Sequence, residues 1–224
     1  MDARLTPASP ESGRPGPQAL KSERMRAAIL ETAVRRLAKS GYRATSIKKI
    51  AADGDFSIGA VQHHFPSKLE LMAAVAERAL RRAERHALRL IEIRKGEVGM
   101  AEFVADTWER QLGTDWYQAM SEVFVAARTD RGLRDRIAPA VLAYFEATEA
   151  RIAAATRAGK ANPALAAFLI SASRCMMGGF MVQDALALPP AKAAGVIARW
   201  GRFLEWALAR DDLPEEFSIE GGKR

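Results

Sequence analysis

The chain has little of what most chemical sites are built from. It holds one cysteine, Cys175, and three histidines in 224 residues. A single thiol excludes an internal disulfide and a CxxC pair, and fits a reducing compartment. No run of about twenty apolar residues occurs, so no membrane-spanning helix is expected. The first residues form no apolar block of signal-peptide type, and the expected location is the cytoplasm. Neither G-x-x-x-x-G-K-[ST] nor G-x-G-x-x-G is present, which removes two common phosphate-cradling loops. His63 and His64 are neighbours, so on a helix they point about 100° apart and cannot chelate one metal as an i, i+4 pair could. No spacing of serine, histidine and acid singles out a catalytic set. The expectation is no metal, no cofactor and no enzymatic site. Cys175 lies in an apolar stretch and reads as an inert buried thiol, and His86 on a charged stretch reads as solvated.

What is present is apolar residue and positive charge. Apolar types make up 49% of the chain, enough for a sizeable core. They recur at helical spacing, and the expected class is all-α with about nine helices. The formal charge is +7. Residues 1–68 carry 12 Lys/Arg against 6 Asp/Glu, while residues 69–224 carry 22 against 21. Nearly all the excess therefore sits at the front of the chain, where it can attract phosphate irrespective of sequence. A solvated helix face has the same composition, so charge counts here only by coinciding with a motif.

The motif is Thr45 to Lys68, TSIKKIAADGDFSIGAVQHHFPSK. Thr45 and Ser46 are hydroxyl residues suited to capping a helix whose inward side is Ile47, Ile50 and Ala51. Asp53-Gly54-Asp55 breaks the period. Ser57 can cap a second helix, with Val61 and Phe65 inward, and Pro66 stops it. Ser67-Lys68-Leu69-Glu70 is a capping box that opens a third helix. Helix, tight turn, helix is the plan whose second helix enters the DNA major groove. Its outward residues are Ile58, Gly59, Ala60, Gln62, His63 and His64, with no acid to repel phosphate. Gln and His can bond base edges, and Ala or Ile can touch a thymine methyl. A plain helical hairpin inside an all-α core fits the same spacing.

From about Met25 to Val75 the chain resembles the DNA-binding domain of the tetracycline-repressor (TetR) family of bacterial transcription regulators. Gly41-Tyr42, Thr45-Ser46, Ile50-Ala51, Phe56-Ser57, Gly59, Val61, His64-Phe65 and Ser67-Lys68 follow that family's order and spacing. Three positions depart from it. Asp55 stands where the turn glycine is usual, Ile58 where a basic residue is frequent, and Gln62 where a tyrosine often contacts the backbone. The resemblance implies a homodimer on a pseudopalindromic double-stranded operator, and a cavity for a small effector in the second half. Thr45, Ser46, Lys48 and Lys68 would then set register on phosphates, with Ser57 capping the reading helix. Ile58, Gly59, Ala60, Gln62, His63 and His64 would face the groove.

The remaining chain divides as follows. Residues 1–20, rich in Pro, Gly and Ser, are expected to be a disordered arm. Residues 21–67 are expected to form the helix-turn-helix domain, its first helix running to Ser40 with Gly41 as its left-handed cap. A long helix over 68–95 completes that domain and opens an effector-binding and dimerisation region over 68–212. Further helices are expected over 97–112, over 116–129 capped by Asp115, from Leu133 to about Ala158 with Pro139 bending it or marking its first turn, over 163–186 and over 190–210. The tail 213–224 is expected to be frayed. Trp108, Trp116, Met120, Phe124, Phe145, Met176 and Phe180 are candidate pocket residues for a small apolar effector, although a plain core accounts for each of them. Arg128, Arg174, Asp106 and Glu122 are candidate polar partners. The helices over 163–186 and 190–210 are apolar enough to need a second copy, with Gly178-Gly179 allowing close approach. Two alternatives stay open: an architectural DNA binder without an effector, and a helical ligand carrier or enzyme without a DNA role.

Overall fold

The computed structural model describes residues 16–87, 99–157, 163–184 and 190–210. Nine α-helices and one short π-helical turn occupy these residues. They are α1 (Pro17–Ala44), α2 (Ile47–Asp53), α3 (Ile58–His64), α4 (Lys68–Ala87), α5 (Met100–Thr107), α6 (Asp115–Ala127), α7 (Arg131–Arg157), α8 (Pro163–Asp184) and α9 (Pro190–Leu208), with the π turn at Trp108–Leu112. No strand occurs among the described residues. None of their helices is long and apolar enough to cross a membrane.

Several boundaries differ from expectation for local reasons. α1 starts at Pro17, inside the expected arm, because proline at a first helical position lacks only an N–H that would go unused. Gly41 breaks it at positive φ, as expected (φ 74°, ψ 172°), and a further helical turn follows the kink to Ala44. The helix expected over 97–112 is α5 followed by the π turn, which Gly113 N–H closes onto the Trp108 carbonyl at 3.1 Å. Thr114, not Asp115, caps α6, accepting from Tyr117 N–H at 3.4 Å. Asp130 caps α7 through Leu133 N–H at 3.0 Å, so α7 is already under way when it reaches Pro139. The remainder of the expected arm, residues 88–95 of the long helix, Asn162 and the tail lie outside the described residues.

One continuous core joins α1–α4 to α6 and α7. Ile29, Leu37, Ile50, Val61, Leu71 and Val123 are wholly buried in it. Each buried side chain of this size contributes about 1.5–3 kcal/mol of transfer free energy. A smaller core gathers Val104, Leu112, Leu165, Leu169, Met177, Ile197 and Leu204 from α5, the π turn, α8 and α9. Along the seam between α4 and α7, Arg136 bonds Glu70 at 3.1 Å and Glu77 at 2.9 Å, and Arg151 bonds Glu84 at 2.6 Å. Both glutamates hold the Arg136 guanidinium above its ordinary pKa, through hydrogen bonds first. Pairs this exposed contribute little each, yet together they fix which turn of α7 faces which turn of α4.

Within one chain the close helix approach lies elsewhere than at Gly178-Gly179, whose expected partner is a second copy. A Cβ at Gly178 would meet only the Tyr117 hydroxyl at 3.4 Å, and one at Gly179 would meet nothing. It is at Gly201 on α9, where a Cβ would lie 2.7 Å from the Ala101 Cα on α5. Gly201→Ala is expected to cost about 1–3 kcal/mol in urea unfolding, because backbone cannot step aside as a side chain can. Gly195→Ala, on the same helix with open space around it, is expected to be neutral or to gain up to about 1 kcal/mol.

The turn between α2 and α3 carries a strain of its own. Phe56 N–H bonds the Ala51 carbonyl at 2.9 Å and Gly54 N–H bonds the Ile50 carbonyl at 3.1 Å. The Phe56 bond is the long closure of a Schellman motif, whose next-to-last residue needs positive φ. That residue is Asp55, at φ 54°. A left-handed non-glycine residue costs roughly 1–2 kcal/mol, which glycine partly returns as unfolded-state entropy. Asp55→Gly is therefore expected to raise stability by about 0.5–1 kcal/mol in the same assay.

Candidate nucleic-acid interface and effector cavity

The candidate reading helix is α3, and its formation is locally encoded. The Ser57 hydroxyl accepts from Ala60 N–H at 3.0 Å, which satisfies one of the free donors at the helix start. Val61, wholly buried, and Phe65 pin its inner side to the core of α1 and α4. Ser57, Ile58, Gly59, Gln62 and His63 are exposed, while Ala60 and His64 are half-buried. Of the six residues expected to face outward, Ile58, Gly59, Gln62 and His63 do so, while Ala60 and His64 are partly covered. Ile58 is 46% exposed, a large apolar side chain left in water. No acid lies in the first turn of α3. Asp53 on α2, the nearest helical acid in sequence, is neutralised by Arg36 at 2.7 Å.

The expected phosphate set divides in two. Lys48 is exposed and makes no ion pair among the described residues. Ser46 caps α2, accepting from Lys49 N–H at 3.3 Å, and stays half-buried. Thr45 is different: it is 1% exposed and its hydroxyl donates to the Gly41 carbonyl at 2.8 Å. A side chain so enclosed cannot reach phosphate, and its work is to close the kink at the end of α1. Lys68 is likewise committed. Its ammonium donates to the Tyr42 carbonyl at 2.7 Å and lies 3.9 Å from the centre of the Tyr42 ring. Burial pulls its pKa below the ordinary lysine value, with Asp130 opposing. Arg26 on α1 is exposed at the same end and sits 5.0 Å over the Phe65 ring.

His64 is held below its ordinary pKa, by burial first and then by the neighbouring His63 and Arg26. The neutral ring that results offers one donor and one acceptor in place of a charge. The two imidazoles meet edge to face with centres 5.1 Å apart, so they project in different directions. No group of three metal-ligating side chains occurs among the described residues.

Behind this head lies a cavity of about 360 Å³ between α4, α5, α6, α7 and α8, with Leu204 of α9 at its wall. Of the expected pocket residues it takes Met120, Phe124 and Phe145. Trp108 packs edge to face on Phe180 with centres 6.2 Å apart, and Met176 packs against the smaller core beside them. Trp116 is buried under Arg82, whose guanidinium is 5.3 Å from its ring, and borders a separate hollow of about 230 Å³. Residues not anticipated supply the rest, among them His86, Tyr117, Tyr144, Met177 and Leu112. His86 is not solvated: Nε2 lies 2.7 Å from the Thr107 hydroxyl and the ring stacks on Phe103. Thr107 already donates to the Phe103 carbonyl at 2.8 Å, so it can accept from His86. Cys175, read as buried, is an exposed free thiol at the cavity wall. Of the candidate polar partners Arg174 lines the cavity. Glu122 reaches away to Tyr42 N–H at 2.9 Å, Asp106 pairs with Arg110 at 2.6 Å, and Arg128 is exposed.

Residues 29–75 match the family model described as bacterial regulatory proteins, tetR family. The HTH-type transcriptional repressor AcnR of Corynebacterium diphtheriae is 33% identical over 108 residues, which are 48% of this chain. The match spans about half of that curated relative, 53% of its length. Salmonella enterica GusR superposes with a TM-score of 0.62 at 20% identity, over 84% of this chain and 96% of that one. A TetR-family regulator from Rhodococcus sp. gives 0.58 at 17% identity, over 81% and 99%. The two structures speak for the fold alone. Residues 29–75 thus match the model of the tetR family of bacterial regulatory proteins, and the fold around them resembles that of a solved TetR-family regulator.

Proposed function

We propose that the chain is a sequence-specific DNA-binding transcription regulator of the cytoplasm, a repressor that a small effector releases. The observation that carries this is α3: an outward face with Gln62 and His63 exposed, no acid in its first turn, and a basic chain segment around it. Residues 21–67 with the start of α4 would form the DNA-reading unit, and residues 68–212 the effector-binding and dimerising unit. Lys48, Ser46 and Arg26 would meet phosphates, while Gln62, His63 and Ala60 would read base edges. Gly59 has open space where a side chain would stand, which lets the helix backbone approach the groove.

Two copies are needed to place two such helices on a pseudopalindrome. Phe168 on α8 and Phe203 and Trp206 on α9 are exposed at 37%, 42% and 52%. Trp200, Phe203 and Trp206 form a ladder with ring centres 5.2 and 5.7 Å apart. An apolar face of this kind favours a homodimer through α8 and α9. AcnR is named a transcriptional repressor, which supports the sign of the regulation.

α6 supports a route from cavity to reading head. Met120, Ser121 and Phe124 face the cavity, while Glu122 on the same helix holds the Tyr42 N–H. A ligand that prefers one position of α6 would change how α1 and the α2–α3 pair sit, and so the separation of the two heads.

Gel-shift titration over several salt concentrations tests the DNA role. Gln62→Ala and His63→Ala are expected to lose about 1–3 kcal/mol of discrimination at one or two base pairs, with little change in the salt slope. Lys48→Ala is expected to weaken binding to all duplexes and to reduce the slope by about one per protomer. Salt-insensitive or absent duplex binding by the parent protein would reject the reading in favour of a helical ligand carrier.

A further inference from the structure

The cavity behind α3 has a chemical polarity that its apolar lining hides. Among the described residues that line it there is no Asp or Glu. One lining residue is a permanent cation, Arg174 on α8. Its guanidinium carbon sits over the Phe145 ring, 4.2 Å from the ring centre. No described acid lies within ion-pair distance of it, in contrast to Arg136 and Arg151 on the neighbouring helix, which are paired. The cation–π contact with Phe145 holds the guanidinium in place, and its N–H groups make no hydrogen bond to a described residue.

The other hydroxyls of the wall are mostly spent. Thr148 donates to the Tyr144 carbonyl at 2.7 Å, and Ser173 donates to Leu169 while accepting from the Trp200 indole. The Tyr117 and Ser121 hydroxyls bond no described residue, and of the two Tyr117 carries the longer reach into the cavity. Burial raises its pKa and Arg174 opposes that rise, which places the two groups within electrostatic reach of each other. Around them the wall is Leu80, Val104, Leu112, Met120, Phe124 and Met177. A half-buried guanidinium without a counter-charge among the described residues, sharing its cavity with a spare phenol and with aliphatic and aromatic carbon, is an incomplete ion pair.

The structure assigns this cavity to an amphiphilic monoanion: an apolar body among Leu112, Phe124 and Met177, and a single carboxylate, or an anion of like geometry, accepting from Arg174 and Tyr117. The assignment deepens the proposed effector role and rests on it for any consequence at DNA. A volume of about 360 Å³ suits one such molecule, at the lower end of ordinary small-molecule sites.

Three eight-carbon probes with different heads separate the possibilities: octanoate, 1-octanol and octylammonium, followed by tryptophan fluorescence and thermal shift on the full chain at low salt. Octanoate is expected to bind about tenfold to a hundredfold more tightly than 1-octanol, as a charge-assisted bond in a dry site requires. Octylammonium is expected to bind most weakly. Arg174→Gln should erase the preference for octanoate and leave 1-octanol binding unchanged, and Tyr117→Phe should reduce the preference several-fold. Equal binding of octanoate and 1-octanol by the parent protein, or tighter octylammonium, would overturn the anion assignment while leaving the cavity a ligand site. Binding of none of the three would overturn both the assignment and the effector reading. The parent's preference among heads decides the matter even if Arg174→Gln fails to fold.

Discussion

The structure turns on the backbone of Tyr42. Its N–H donates to Glu122 on α6 at 2.9 Å, and its carbonyl accepts from the Lys68 ammonium at the start of α4 at 2.7 Å. Its ring lies under that ammonium, and its hydroxyl is 3.4 Å from Asp130, which caps α7. Four elements are thus tied to one residue. The tie exists because Gly41 kinks the chain at φ 74°; a Cβ there would lie 3.0 Å from the Glu122 carboxylate. A side chain at position 41 would therefore meet both a backbone penalty and the partner that the kink admits. Burial first, then the Asp130 carboxylate, raises the Tyr42 phenol pKa, which keeps the hydroxyl a donor.

This arrangement gives α2 and α3 their placement. α2 and α3 are each seven residues long, too short to be stable as isolated helices. They hold their shape through hydroxyl caps at Ser46 and Ser57 and through Ile50, Val61 and Phe65 in a core shared with α1, α4 and α6. Because that core is continuous, a displacement of α6 cannot be confined to the rear of the molecule. Packed interiors pass small shifts on instead of absorbing them.

The sequence was most legible where structure is decided by neighbours. Caps, the turn, the inward Val61 and Phe65, and the outward Gln62 and His63 all follow from residues within a few positions of one another. It was least legible where a side chain is claimed from a distance. Nothing local says that Lys68 will turn back to the Tyr42 carbonyl across 26 positions, or that His86 will meet Thr107 across 21. α8 illustrates a second limit. A helix apolar nearly all round has no distinguishable outward side, so Cys175 could not be told from its buried neighbours Leu169 and Met177. Aromatic residues mislead for a related reason: Trp108 and Trp116 are large enough to fill a core, and both pack there instead of lining the cavity. The π turn has no local sequence signature, and Gln111 and Leu112 within it line the cavity wall.

The central claim is that two copies of α3 read two halves of one site. Selection of bound sequences from random duplexes addresses it most directly, since motif and spacing emerge together. The account predicts an inverted repeat whose half-sites are centred about one helical turn apart, or a whole multiple of it, roughly 34–36 Å per turn. Enrichment of an isolated half-site, or recovery of no motif from a protein that still binds duplexes, would contradict it.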